Sequence, residues 1–148
     1  MANALYDKGR ESFLRGEIAW QTDTIDLILV KIGTEAGEYN VDLANHQFLQ
    51  DIPEAARVAV LNDNNIEGTE LTSKTTVAGV ADAATAVFEA VTGDPCGALI
   101  IFARQAIDPE TTSRLIAYID TAIGFPLTPN GGDVTVEWDV GVNKIFKL

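Results

Sequence analysis

The sequence is poorest in the residues from which reactive sites are built. Its 148 residues include one cysteine, Cys96, and one histidine, His46. A single cysteine excludes an intrachain disulfide and a zinc–cysteine cluster. A Cys–His nucleophilic pair needs both residues side by side, with the thiol in an electropositive setting. Cys96 instead follows Asp94 and Pro95 in a turn that leads into an apolar run. It reads as a small buried hydrophobe. His46, in Ala-Asn-His-Gln-Phe, reads as a surface or capping residue. There is no Gly-x-Ser-x-Gly elbow, no P-loop and no dinucleotide-type glycine run. No catalytic residue, no enzyme activity and no cofactor is expected.

Positive charge is also scarce. Lys plus Arg is 10 against 22 Asp plus Glu, for a net charge of -12. Nucleic-acid affinity comes mainly from cations that displace counterions, so phosphate backbones are poor partners. Anionic membranes are disfavoured for the same reason, and no apolar run approaches the roughly 20 residues that span a bilayer. The opening Met-Ala-Asn-Ala-Leu-Tyr-Asp-Lys lacks the basic-then-apolar plan of a signal peptide. These features suit a protein made in a reducing cytosol.

What is present is the composition of a globular domain, 47% hydrophobic and 22% charged. Residues 3–16 read as a helix, with Leu5, Tyr6, Phe13 and Leu14 on one face, Asn3 as cap and Gly16 as stop. Beyond Gly16 the period turns strand-like. Thr24–Ile32 is apolar on both faces except for Asp26 and Lys31, as in a buried strand. Ala98–Ala103 is the most apolar stretch and reads as a central strand. Glu38–Leu43, Val87–Val91, Arg114–Thr121, Val134–Asp139 and Ile145–Leu148 read as further strands, and Arg57–Leu61 as strand or helix. Asn45–Asp51 reads as one helical turn. About seven to nine strands with regular turn signals predict a mainly β fold, an antiparallel sandwich or barrel. The expected division is an N-terminal helix or arm over residues 1–16 and a single β-rich domain over residues 17–148.

Few motifs carry chemistry. Asp63-Asn64-Asn65-Ile66-Glu67-Gly68 copies the opening of a calcium loop, yet the twelfth position is Lys74 where a bidentate Glu belongs. A polar hairpin loop is the expected reading, and no metal site is assigned. Trp20 and Trp138 read as core aromatics. The cations gather towards the ends, with Lys8, Arg10 and Arg15 at one and Lys144 and Lys147 at the other. That distribution fits termini that dock on a partner.

Several stretches resemble a group of small tailed-bacteriophage virion proteins. They are the opening from Met1 to Trp20, Phe48-Leu49-Gln50-Asp51-Ile52-Pro53-Glu54-Ala55-Ala56-Arg57-Val58, and Arg114-Leu115-Ile116-Ala117-Tyr118-Ile119-Asp120-Thr121. The stretches from Pro129 to Trp138 and from Asn143 to Leu148 are similar too. The resemblance implies a capsid decoration (cement) protein, made in the bacterial host cytoplasm and carried on the outer capsid surface. It implies two partners, the major capsid protein and copies of itself, with trimers as one expected arrangement. Leu5, Tyr6, Arg10, Phe13 and Leu14 are the expected partner-binding residues, because aromatic and aliphatic anchors dominate hot spots. A chain without residues 2–16 is then expected to keep a folded core and lose capsid binding. A neck, tail or baseplate position is the alternative within the same class. A different class, a small-ligand or calcium-binding adhesion domain, would use Trp20, Tyr39 and the 62–68 loop.

Overall fold

The two most apolar stretches of the chain become its two central strands. The computed structural model describes residues 3–58, 68–122 and 124–148. The elements, in order, are β1 (Ala4–Leu5), α1 (Asp7–Leu14), β2 (Ile25–Val30), β3 (Arg57–Val58), β4 (Thr69–Glu70), β5 (Thr75–Val77), β6 (Val80–Asp82), β7 (Ala86–Phe88), β8 (Ala98–Ala103), α2 (Pro109–Thr112), β9 (Arg114–Ile119), β10 (Val134–Val136) and β11 (Phe146–Lys147). Two 3-10 turns, Leu49–Asp51 and Glu54–Ala56, precede β3.

The main sheet runs β1-β9-β8-β2, with β3 and β4 both on the far edge of β2. Its pairings are antiparallel, with Leu27 opposite Ile101 and Ile100 opposite Tyr118. β2 and β8 are buried at every residue. An antiparallel strand usually alternates because one face is wet. These two do not alternate because both faces of the sheet are covered. Leu27, Leu29, Leu99, Ile101 and Ile116 pack with Ile18, Trp20, Leu71, Phe88 and Val91, and with half-buried Phe13, Trp138 and Phe146. That side carries the two small antiparallel sheets, β7-β10 and β11-β6-β5. Ile28, Val30, Ile100, Phe102, Leu115 and Tyr118 pack under Tyr6, Tyr39, Leu49, Ile52 and Ala56. On that side the cover is mostly irregular chain. The mainly β, sandwich-like expectation holds.

The N-terminal segment departs from its expected form. The helix has eight residues, and Ala4 and Leu5 lie in a strand opposite Tyr118 and Ala117 of β9. Asn3 caps nothing. Its amide bonds the backbone of Thr121 in both directions, accepting at 3.0 Å and donating at 3.3 Å, which extends the ladder. Gly16 does end the helix. It has φ +73°, its N–H donates to the Phe13 carbonyl, and the Glu17 N–H donates to Ser12, closing a Schellman motif. The helix lies directly on β9. A Cβ on Gly9 would sit 2.6 Å from the Leu115 carbonyl oxygen and 3.2 Å from Ile116 Cα. A mid-helix glycine costs roughly 1 kcal/mol in propensity, and here it permits backbone-to-backbone packing. Residues 3–16 therefore pack as part of the domain, with β1 extending the sheet and Tyr6 covering it.

Other strand boundaries move for local reasons. Glu38–Leu43 makes only a parallel bridge from Tyr39 to Ile32, while Tyr39, Val41 and Leu43 face the sheet. In β7 the phase is set by Phe88, which is buried, and Val87 faces outward. Of Arg57–Leu61, Arg57 and Val58 are strand, and residues 59–61 lie outside the described residues.

Deleting residues 2–16 is expected to abolish the native fold rather than leave a stable core, read as loss of near-ultraviolet dichroism. A cooperative unfolding transition in the truncated chain would contradict this. The milder Gly9→Ala substitution is expected to destabilise by about 1–3 kcal/mol through overpacking against β9, checked by urea denaturation.

Candidate interaction surface

The fold separates the five expected partner-binding residues. Tyr6 is fully buried and Leu5 nearly so, and both belong to the chain's own core. Phe13 packs on Phe146 with ring centroids 5.8 Å apart. Arg10 is exposed and ion-paired to Asp7 at 2.9 Å. Only Leu14, 88% exposed, offers a large uncovered apolar side chain. The expectation for Leu5 and Tyr6 fails because an edge strand and a sheet cover hold them inside.

Tyr6 instead begins a buried polar chain. Its hydroxyl lies 2.8 Å from the Tyr39 hydroxyl, which lies 2.8 Å from His46 Nδ1. The Asp42 N–H also donates to His46 Nδ1, at 3.2 Å. Nδ1 is therefore an acceptor, which orders the chain: Tyr6 donates to Tyr39, and Tyr39 donates to His46. Burial pushes the Tyr6 and Tyr39 phenols well above the usual range. His46 thus serves as a capping acceptor. Cys96 lies in the cluster on the other face of the sheet. Burial raises its thiol to about 11, and Sγ stands 3.7 Å from the Leu127 carbonyl oxygen. The sheet separates the two residues that a Cys–His pair would need.

The aromatic candidates are structural. Trp20 is buried, meets Phe146 edge-on at 5.1 Å and donates Nε1–H to the Asp82 carbonyl. Trp138 donates to the Ala84 carbonyl at 3.1 Å. Residues 59–67, which include most of the calcium-like loop, lie outside the described residues. Among the described residues no group of three or more His, Cys, Asp or Glu is placed to hold a metal ion. No helix among them is long and apolar enough to cross a membrane. An open cleft of about 630 Å³ lies between Ile32, Pro95, Phe125 and Pro126, with Lys31, Glu38 and Asp120 at its sides.

Several cations act within the molecule. Arg57 is clamped on Glu110 at 2.6 Å and donates to the Leu49 and Ile52 carbonyls. Arg114 holds Glu17 at 2.6 Å and lies over the Phe48 ring. Lys31 pairs with Asp94 at 3.0 Å, and Lys144 with Asp82 at 2.9 Å.

Sequence reasoning missed one feature. Val140 and Val142 flank Gly141 at the turn before β11 and are 95% and 87% exposed. The turn is held from within. The Gly141 N–H donates to Asp139 Oδ1 at 3.1 Å, and the Lys144 N–H donates to the Gly141 carbonyl at 3.3 Å. The Lys144–Asp82 pair ties it to β6. Turns usually present polar residues, so two β-branched apolar residues here are the signal in the sequence. No family model matches the chain, and no curated protein matches it.

The hydroxyl chain predicts an asymmetry. Tyr39→Phe leaves the buried Tyr6 hydroxyl without its acceptor and is expected to cost about 1–3 kcal/mol. Tyr6→Phe leaves the Tyr39–His46 bond intact and is expected to cost less. Equal costs in denaturant unfolding would contradict the ordering.

Proposed function

We propose that this protein is a bacteriophage virion structural protein that decorates the capsid. It binds the lattice of the major capsid protein from outside and stabilises it. The reading starts from the resemblance carried by the opening twenty residues, Phe48–Val58, Arg114–Thr121 and the two C-terminal stretches. The structural observation that carries it is the braced apolar turn at Val140–Gly141–Val142, with Leu14 as a second uncovered side chain. A turn fixed by its own hydrogen bonds loses little conformational entropy on docking, which favours a small contact. A repeating shell then multiplies weak contacts through avidity. The net charge of -12 keeps the unassembled chain soluble. Neighbouring copies touch on the lattice in this reading.

The double substitution Val140→Asp, Val142→Asp tests it. Both side chains are exposed, so the thermal midpoint is expected to stay within a few degrees of wild type. Binding to undecorated phage heads, measured by co-sedimentation, is expected to fall at least about tenfold, the scale of one hot-spot loss. Unchanged binding would contradict the assignment of this turn. A mass-spectrometric copy number matching the lattice sites supports a shell position, and one matching a single ring supports the neck or tail.

A further inference from the structure

A fully buried carboxylate sits in the main sheet. Asp26 has no exposed surface, although β2 is otherwise entirely apolar. It stands opposite Phe102 on β8 and Glu70 on β4. Arg104, just past the end of β8, reaches Asp26 Oδ2 with Nη1 at 3.3 Å and Glu70 Oε2 with Nη2 at 3.8 Å. The Arg104 side chain is itself only 13% exposed. One guanidinium is therefore divided between two carboxylates of adjacent strands.

We propose that Asp26, Arg104 and Glu70 form a proton-operated clamp on β4, loose when Asp26 is ionised and tight when it is protonated. Ionised, Asp26 competes with Glu70 for Arg104, and its charge is fully buried. Protonated, Asp26 releases Arg104 to Glu70, and the β2–β4–β8 junction no longer contains a buried anion. Among the described residues the charged groups facing Asp26 are Arg104, Glu70 and Lys74, and its partner on β8 is apolar. Burial pushes its carboxyl up to about 6, Glu70 adds to the rise, and Arg104 and Lys74 oppose it.

The sign follows from linkage. The native carboxyl binds its proton more tightly than the unfolded one, whose ordinary value is 3.8. Between those two values the native state carries more protons, so stability rises as pH falls. The full penalty is present above about pH 6 and is gone below about pH 4. This runs against the usual behaviour of carboxylates that are paired in a native state.

The test compares wild type with Asp26→Asn in urea unfolding from pH 4 to pH 8. The ratio of their unfolding constants is expected to climb about tenfold per pH unit inside the window, by about a hundredfold in all, and then to level. A ratio that stays flat overturns the proposal. Two measurements on folded protein guard against a variant that does not fold. The carbon-13 carboxyl signal of Asp26 is expected to titrate near pH 6 in wild type and lower in Glu70→Gln, and a midpoint near 3.8 overturns the proposal. The Leu71 amide, which follows β4 and donates to the Ile25 carbonyl at 2.7 Å, reads the clamp itself. Its exchange protection, corrected for intrinsic rate, is expected to rise from pH 7.5 to pH 5, and unchanged protection overturns the proposal.

Discussion

The structure depends on covering both faces of one antiparallel sheet. Ile25–Val30 and Ala98–Ala103 are buried from end to end, so neither strand has a side that water can take. On one face the cover is more β-structure, whose backbone satisfies itself in ladders. On the other it is the stretch from Tyr39 to Ala56, which is nearly free of regular structure. Chain without ladders must find other partners for its buried polar groups. This requirement explains where the scarce polar side chains lie. Asp51 accepts the N–H groups of Gln47 and Phe48 at 2.7 and 2.9 Å. Arg57 takes the Leu49 and Ile52 carbonyls. His46 ends the hydroxyl chain from Tyr6. Residues of the kinds that often serve catalysis here hold a lid of irregular chain on a sheet.

The same constraint decides what the surface offers. Because several cations serve the fold, the outside of the molecule is dominated by carboxylates. Among the described residues, the most exposed large apolar side chains are those that the two covers leave out: the Val140–Val142 turn, Leu14, Ile107, Val77 and Leu148. A partner that suits such a surface meets a firm apolar point in an acidic field. That arrangement favours many weak, repeated contacts over one deep pocket, which is what the proposed shell role requires.

The sequence revealed the sheet better than its covers. Thr24–Ile32 and Ala98–Ala103 were legible because a strand apolar on both sides has few alternatives. The burial of Cys96 and Trp20 was legible from their apolar character, and Trp138 is half-buried against the same cluster. The first sixteen residues were not. Leu5, Tyr6, Phe13 and Leu14 fit a helical face by spacing, and spacing alone cannot show that Ala4 and Leu5 gain more from pairing with β9. Tyr39, Val41 and Leu43 alternate like a strand, yet they lie over the face of the sheet and pair with it only at the Tyr39–Ile32 bridge. Leu5 and Tyr6 were expected at a partner because they are hydrophobic, and the core claims them for the same reason. Val140 and Val142, in a turn, were exposed because no sheet face reaches them.

The most direct measurement is an electron cryo-microscopy reconstruction of phage heads after incubation with the purified protein. The account predicts added density at every equivalent site on the outer shell, with the Val140–Val142 turn against the major capsid protein. Heads left bare, or density confined to the neck or tail, would contradict it.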